Sequence, residues 1–391
     1  LQEIGTVGLL WRKSYFIKPL SFIPGKKFKL KWRISMKKNL WVSFGWALLL
    51  SLVFLLGPAS PTAAQNVIKW KGQETFPTKL PAYGPFRTGD TGVHAITRGW
   101  TEWIKKATGG RLVIDWAEPG AIFPPFEADT AIGRGVVQIA VSFGAYYTGR
   151  IPETDIETGL AFAWPTAAAE YDCMHNYGLY PELKKVYAER NINWFPMPTD
   201  AIVSIGTTFP APTSESIKGK KIRAVGFWGD YIAMLGGSPV PLPWGEIYMG
   251  LKLGTIDGWV AGSATLEELK LKEVAKGIVY HPRISNAPVN ILINMKAFKA
   301  LPQDIQDLLE NNLRYVTYTL SYKWHQQCTW VIADAKEKYG VIPYSWSPED
   351  VSKVTQKAVD TLYPKVAAKS ARCAKLVEMV KKQMRDYSLI K

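Results

Sequence analysis

Between residues 219 and 260 the chain reads GKKIRAVGFWGDYIAMLGGSPVPLPWGEIYMGLKLGTIDGWV. Three short apolar runs, KIRAV, SPVPLP and TIDGWV, alternate with two helical patterns, GDYIAMLGG and GEIYMGLKLG. That alternation predicts a βαβαβ unit and a mostly parallel sheet. Arg223 falls near the end of the first strand, and residues 226–229 are expected as a loop leading into a helix. In open α/β sheets ligands collect off the carboxyl ends of the strands, beside helix N-termini. An arginine placed there presents a planar, permanently charged fork to a carboxylate. The same spacing would also serve an arginine that caps a helix or pairs with a surface acid.

The wording of this segment is specific. K-I-R-x-x-G is followed by L-G-G-x-P-V-P-L and then by E-I-Y-x-x-L-x-x-G-x-I-D-G, with Arg223, Gly236, Pro239, Glu246, Tyr248, Leu251, Gly254, Asp257 and Gly258 in one continuous register. It resembles the solute receptors of tripartite ATP-independent periplasmic (TRAP) transporters, the family that includes dicarboxylate and sialic acid receptors. Two further phrases have the family's look, T-G-G-R-L from Thr108 and G-x-V-x-I-A from Gly135. The resemblance covers about 66–345 well and the last 45 residues weakly. It implies a two-lobed, periplasmic-binding-protein-like α/β fold. Each lobe would be a mixed sheet flanked by helices, with the chain crossing between lobes near residues 200 and 285 and along a long helix. The implied division is 66–200 plus 286–324 for lobe I and 201–285 plus 325–391 for lobe II.

A chain of 391 residues has length for two or three domains and an ample core. Its net charge of +15 suggests nucleic acid until the charge is located. Ten of the 48 Lys and Arg but one of the 33 Asp and Glu fall within residues 1–64, which puts +9 in a segment that reads as targeting sequence. The remainder is moderately basic, which suits an anionic ligand. There is no basic stripe with interleaved aromatics, so nucleic acid is not an expected partner. Met36 opens a secretory pattern of Lys37 and Lys38, an uncharged run over 40–57, and the small residues ASPTAA. This predicts a signal peptide over 36–64, cleaved after Ala64, and a periplasmic chain beginning at Gln65. An uncleaved anchor is the alternative, because the run is near the lower limit for a span. Residues 1–35 are basic and irregular and are read as upstream sequence, not a domain.

Helices are expected over 93–108, 126–135, 166–177 and 183–190, over a long stretch from Leu301 to about Tyr339, and over 348–362 and 367–387. Strands are expected at RLVIDW, VVQIAVSF, INWFPM, IVSIGTTF and NAPVNILIN.

Catalytic patterns are missing. There is no GxSxG, P-loop, HExxH or GxGxxG with a following acid, so neither an enzyme nor a cofactor is expected. Glu267 and Glu268 point different ways on a helix and read as a solvated face. The cysteines Cys173, Cys328 and Cys373 lie far apart without a CxxC, giving no disulfide framework. Trp228 and Trp259 are expected on loops at strand ends, as walls of a cleft around Arg223. Phe227, Tyr146, Tyr147, Thr207 and Thr208 are further candidates. An aromatic pocket with one strong cation suits an organic anion with an apolar body.

The resemblance has one departure. Many relatives carry a Glu or Asn soon after the Asp-Gly turn, and in some keto-acid receptors an acid there helps hold a metal ion. Here the run is Trp259-Val260-Ala261-Gly262-Ser263, with no acid until Glu267, so no metal is expected. The implied function is capture of a small carboxylate between two closing lobes and delivery to the membrane subunits of a TRAP transporter. A periplasmic enzyme and a ligand-sensing receptor domain are the alternatives. Ligand identity and oligomeric state stay open. Arg223→Ala and Arg223→Lys are expected to leave the fold intact.

Overall fold

The computed structural model describes residues 66–76, 99–197, 201–286 and 288–390, without the side chains of 314–320 and 323. The signal-like segment 36–64 and the loop 81–92 lie outside the described residues. The first sheet has the order β2-β1-β3-β10-β4, where β1 is Ile68–Glu74, β2 Leu112–Ala117, β3 Ile139–Phe143, β4 Ile192–Met197 and β10 Val289–Asn294. β1 runs parallel to β2 and β3, and β10 runs antiparallel to β3 and β4. Every residue of β3 and β10 is buried, which accounts for their near-continuous apolar sequences. The helices of this half are α1 (Thr101–Ala107), α2 (Ala128–Gly133), α3 (Thr154–Glu157), α4 (Ala167–His175) and α5 (Leu179–Ala188).

The second sheet has the order β11-β9-β5-β8-β6-β7, with β5 Val203–Thr207, β6 Lys221–Arg223, β7 Ser238–Val240, β8 Gly258–Gly262, β9 Gly277–His281 and β11 Ile342–Ser345. β6 is parallel to β7 and β8, as the βαβαβ pattern requires, with α6 (Phe227–Met234) and α7 (Ile247–Lys252) as the crossovers. β5 pairs antiparallel with β8 and β9. Neither β9 nor β11 was expected. β11 contains Pro343 and lies at the sheet edge, where a missing N–H is tolerated but weakens the sequence signal.

Trp259 was expected on a loop and lies instead inside β8, opposite Gly206 of β5. A Cβ on Gly206 would come within 2.1 Å of the Trp259 ring, so the indole lies over the glycine and is sealed at 1% exposure. The loop expected at 226–229 is also shorter. Helix α6 begins at Phe227, with Gly226 as its N-cap at φ 54°. A Cβ at Gly226 would meet Cβ of Ala145 at 2.9 Å, so the glycine permits close approach to the turn after β3.

The chain leaves the first sheet between β4 and β5 and returns between β9 and β10, where the two crossings were expected. They are tied together: Val203 N–H donates to Ser285 O at 3.2 Å, and Ile284 N–H donates to Val203 O at 3.1 Å. A short helix α9 (Met295–Lys299), capped by Asn294, precedes α10 (Gln303–Tyr339). The 37 residues of α10 span about 55 Å at 1.5 Å per residue. Asn312 accepts from Trp100 and Glu310 pairs with Lys184 in the first half, whereas Asp334 pairs with Lys272 in the second.

Helix α11 (Pro348–Ala367) lies by α6, with Lys365 on Asp230, and is followed by α12 (Ala371–Asp386). The expected division puts 325–391 with lobe II. α12 packs on α11 and also ties to α4 and α5 of the first half, through Gln383 to Ala169 O and Arg372 to Glu189. Its apolar face is buried through Leu376, Val377 and Val380. All three cysteines are buried free thiols. No described helix is long and apolar enough to cross a membrane.

Candidate ligand-binding site

Arg223 is the last residue of β6 and is 2% exposed. Its neighbours across the sheet are Val240 on β7 and Trp259 on β8. Chain just beyond those positions supplies the carbonyls that hold it. Arg223 Nε donates to Leu242 O at 2.9 Å, and Nη1 donates to Val260 O at 3.1 Å. Two of five N–H donors are thus used to fix the plane of the fork. The Tyr146 hydroxyl stands beside the guanidinium. Burial draws the Arg223 pKa down, opposed by Tyr146, but a guanidinium stays protonated in a protein. Burial pushes the Tyr146 phenol up, opposed by the charge of Arg223 and the backbone of Trp244.

Among the described residues no carboxylate forms an ion pair with Arg223. Burying an unanswered charge costs several kcal/mol. The guanidinium instead faces a cavity of about 60 Å³. The first half lines it with Phe76 after β1, Phe143 and Tyr146 at the end of β3, and Val289 of β10. The second half contributes Arg223, Trp228, Trp244, Ala261 and Gly262, with Thr265 and Glu268 from α8 (Thr265–Glu268). Trp324 reaches it from α10. The position beyond the carboxyl ends of β1, β3, β6 and β8 is where α/β sheets hold ligands. Aromatic contacts cross between the halves: Phe76 meets Trp244 edge-on at 5.8 Å, and Phe143 meets Trp228 at 5.1 Å.

Of the residues singled out in the sequence, Arg223, Trp228 and Tyr146 meet in this cavity. Phe227 is one residue from Trp228 on α6, about 100° around the helix, and packs on Tyr363 at 6.4 Å. Trp259 lies behind the lining and donates to Thr265 Oγ1 at 3.1 Å. Thr207 donates to Phe209 O at 2.6 Å and Thr208 to Asp257 O at 2.9 Å, which ties both hydroxyls into turns. Tyr147 belongs to a separate buried cluster around Glu157.

Phe76, Phe143, Trp324 and Glu268 line the cavity without having been singled out for it. The first three read as ordinary core positions of strands and an amphipathic helix, so no local signal separates them from packing. Glu267 and Glu268 do diverge as expected, but neither is simply solvated. Glu267 pairs with Lys272, and half-buried Glu268 accepts from Gln327 Nε2 at 3.2 Å at the cavity. Among the described residues Glu268 is the one carboxylate on the lining, and no three acidic, histidine or cysteine side chains gather anywhere.

A sequence profile described as bacterial extracellular solute-binding protein, family 7, matches residues 87–370. A monocarboxylate 2-oxoacid-binding periplasmic protein of Nostoc sp. is 24% identical over 323 residues, covering 80% of this chain and 83% of that one. A TRAP periplasmic solute-binding protein of Pseudoalteromonas atlantica, solved with bound sodium and pyruvate, superimposes with a TM-score of 0.71. It is 23% identical, and the match covers 83% of this chain and 95% of that one. A TRAP solute-binding protein of Bordetella bronchiseptica, solved with calcium and picolinate, gives a TM-score of 0.72 at 20% identity, covering 82% and 93%. At these identities the structural likeness carries the two-lobed fold.

Proposed function

Because the chain belongs to the bacterial extracellular solute-binding proteins of family 7, a family of receptors and not of enzymes, we propose that it captures a small carboxylate on Arg223 and delivers it to the membrane subunits of a TRAP transporter. One observation carries the reading: a sealed guanidinium, held in plane by two carbonyls, faces an aromatic cavity and is paired with none of the described acids. A ligand carboxylate supplies the missing charge and accepts two of the three remaining N–H donors in a bidentate pair. The cavity is small. The described lining leaves room of about 60 Å³, which admits a small organic acid. The relatives named with pyruvate and 2-oxoacids agree with that size.

Both halves wall the cavity, so a ligand enters when they part and is enclosed when Phe76 and Phe143 meet Trp244 and Trp228. Export follows from the sequence before Gln65, and N-terminal sequencing of the secreted protein tests the cleavage point.

Melting the protein against pyruvate, malonate and picolinate, with neutral sugars and amines as controls, tests the reading. A carboxylate at about one hundred times its dissociation constant stabilises by about 2.7 kcal/mol, which raises the melting temperature by a few degrees. Stabilisation by neutral or cationic compounds and by no carboxylate would overturn it.

A further inference from the structure

The first crossing between the halves runs between two cavities. Ala201 lines the Arg223 cavity, and its neighbour Ile202 lines a second space of about 450 Å³. The second crossing divides in the same way. Val289, where β10 begins, faces the Arg223 cavity, whereas Pro282 and Arg283 face the rear space. Like the front cavity, the rear one is walled by both halves. Phe162 and Trp164 come from the chain after α3, and Val351 and Thr355 come from α11, one turn apart. α11 is held to the second half by Lys357 on the Met234 carbonyl and by Asp350, which accepts from Ser214. The two rear walls join beside the crossings. Phe162 N–H donates to Ile284 O at 2.9 Å, and Tyr363 of α11 donates to Ala161 O at 2.8 Å.

We infer that the rear space is the room the protein needs in order to open, so the side chains lining it set carboxylate affinity without touching the ligand. This rests on the receptor reading above. A rotation about the crossings that parts Phe76 and Phe143 from Trp244 and Trp228 in front brings Phe162 and Trp164 toward Val351 and Thr355 behind. Space gained in front is lost at the rear. The backbone at the crossing agrees with such a pivot: Phe162 and Ile202, both on the rear lining, have φ of 67° and 44°. A β-branched residue adopts that region only under constraint, and such constraint concentrates where a fold switches.

Val351 and Thr355 are therefore positioning residues. A bulky side chain at either place fits the rear space while the halves are closed and clashes when they part. It raises the closed fraction by destabilising the open state, and apparent affinity rises by the same factor.

Thr355→Trp and Val351→Trp, with Lys353→Trp as control, test this by calorimetry, dissociation kinetics and small-angle scattering. Lys353 is two residues from each on the opposite face of α11, where its exposed side chain pairs with Glu215. The acid used is pyruvate, malonate or picolinate, whichever stabilises the parent most. Both cavity variants are expected to bind it roughly fivefold or more tightly than the parent, through slower dissociation. Both are also expected to be more compact than the parent when empty, and Lys353→Trp to match the parent throughout. A role in packing alone would lower the melting temperature and leave affinity unchanged or weaker, and that result overturns the inference. So does a gain in affinity shared by Lys353→Trp. A parent that binds none of the three acids counts against the receptor reading, and the empty proteins then decide this inference separately: equal radii overturn it. If both tryptophans prevent folding, Thr355→Leu takes their place with the same expected signs, and unchanged affinity and radius there overturn the inference.

Discussion

Glu157 and Arg223, two of the buried ionisable groups among the described residues, are treated in opposite ways. Glu157, in α3, accepts hydrogen bonds from the Tyr187 hydroxyl and from Asn290 Nδ2, and Asn290 in turn accepts from Trp194 at 2.9 Å. Its carboxyl is pushed up to about 7, by burial first and against those two hydrogen bonds. Below about pH 7 it escapes the penalty of burial by holding a proton. Arg223 is buried as deeply and has no such escape, because a guanidinium does not deprotonate in a protein. Glu157 is satisfied from within the fold, whereas Arg223 is positioned by the fold and satisfied from outside it. Burial alone does not mark a binding site. Burial of a charge that cannot be neutralised, beside open space, does.

Replacing Arg223 breaks this contrast with the largest effect. Arg223→Ala leaves a desolvated ligand carboxylate unpaired, at about 2–5 kcal/mol, so affinity for a carboxylate falls roughly thirty-fold or more. Arg223→Lys keeps the charge without the fork and is expected to fall between parent and alanine. The fold is expected to survive both changes: the Leu242 and Val260 carbonyls lose their donor, but the cost of burying an unanswered charge goes with it. Titration calorimetry measures the loss of affinity, and thermal melting checks that the fold is kept.

The Glu157 side is sharpened by pH. The folded-state pKa is raised above the ordinary value of 4.5, so this group's contribution to stability is full below about pH 4.5 and is lost as pH rises to about 7. Glu157→Gln has no proton to lose there. The variant is expected to melt a few degrees above the parent at pH 8 and close to it at pH 4.5. An equal gap at both values would mean that Glu157 is not held protonated.

The smallest effect is expected at residues that the sequence brought near Arg223 and the fold set aside. Thr207→Val, at a hydroxyl bonded to Phe209 O, should change carboxylate affinity by less than twofold, measured by calorimetry. A tenfold loss would move the site.

What the sequence disclosed follows from how local each signal is. Glycines and prolines between 219 and 260 punctuate β6, α6, β7, α7 and β8, and Ile305, Leu309 and Leu313 set a helical spacing at the start of α10. Arg223 was legible because its strand end and motif lie within one short segment. Trp259 was misplaced by a few residues because its setting depends on Gly206, more than fifty positions away. Phe76 and Trp324 reach the cavity from β1 and α10, and nothing in their own neighbourhoods distinguishes a wall from a core. The second half of the site is assembled by topology, and periodicity does not record it.

The central claim is that the charge of Arg223 is answered by a ligand carboxylate. A crystal structure of the protein grown with pyruvate tests it most directly. The account predicts carboxylate oxygens at about 2.7–2.9 Å from two Arg223 nitrogens, with the bonds to Leu242 and Val260 kept. Pyruvate bound elsewhere, with Arg223 touching only those two carbonyls and Tyr146, would contradict it.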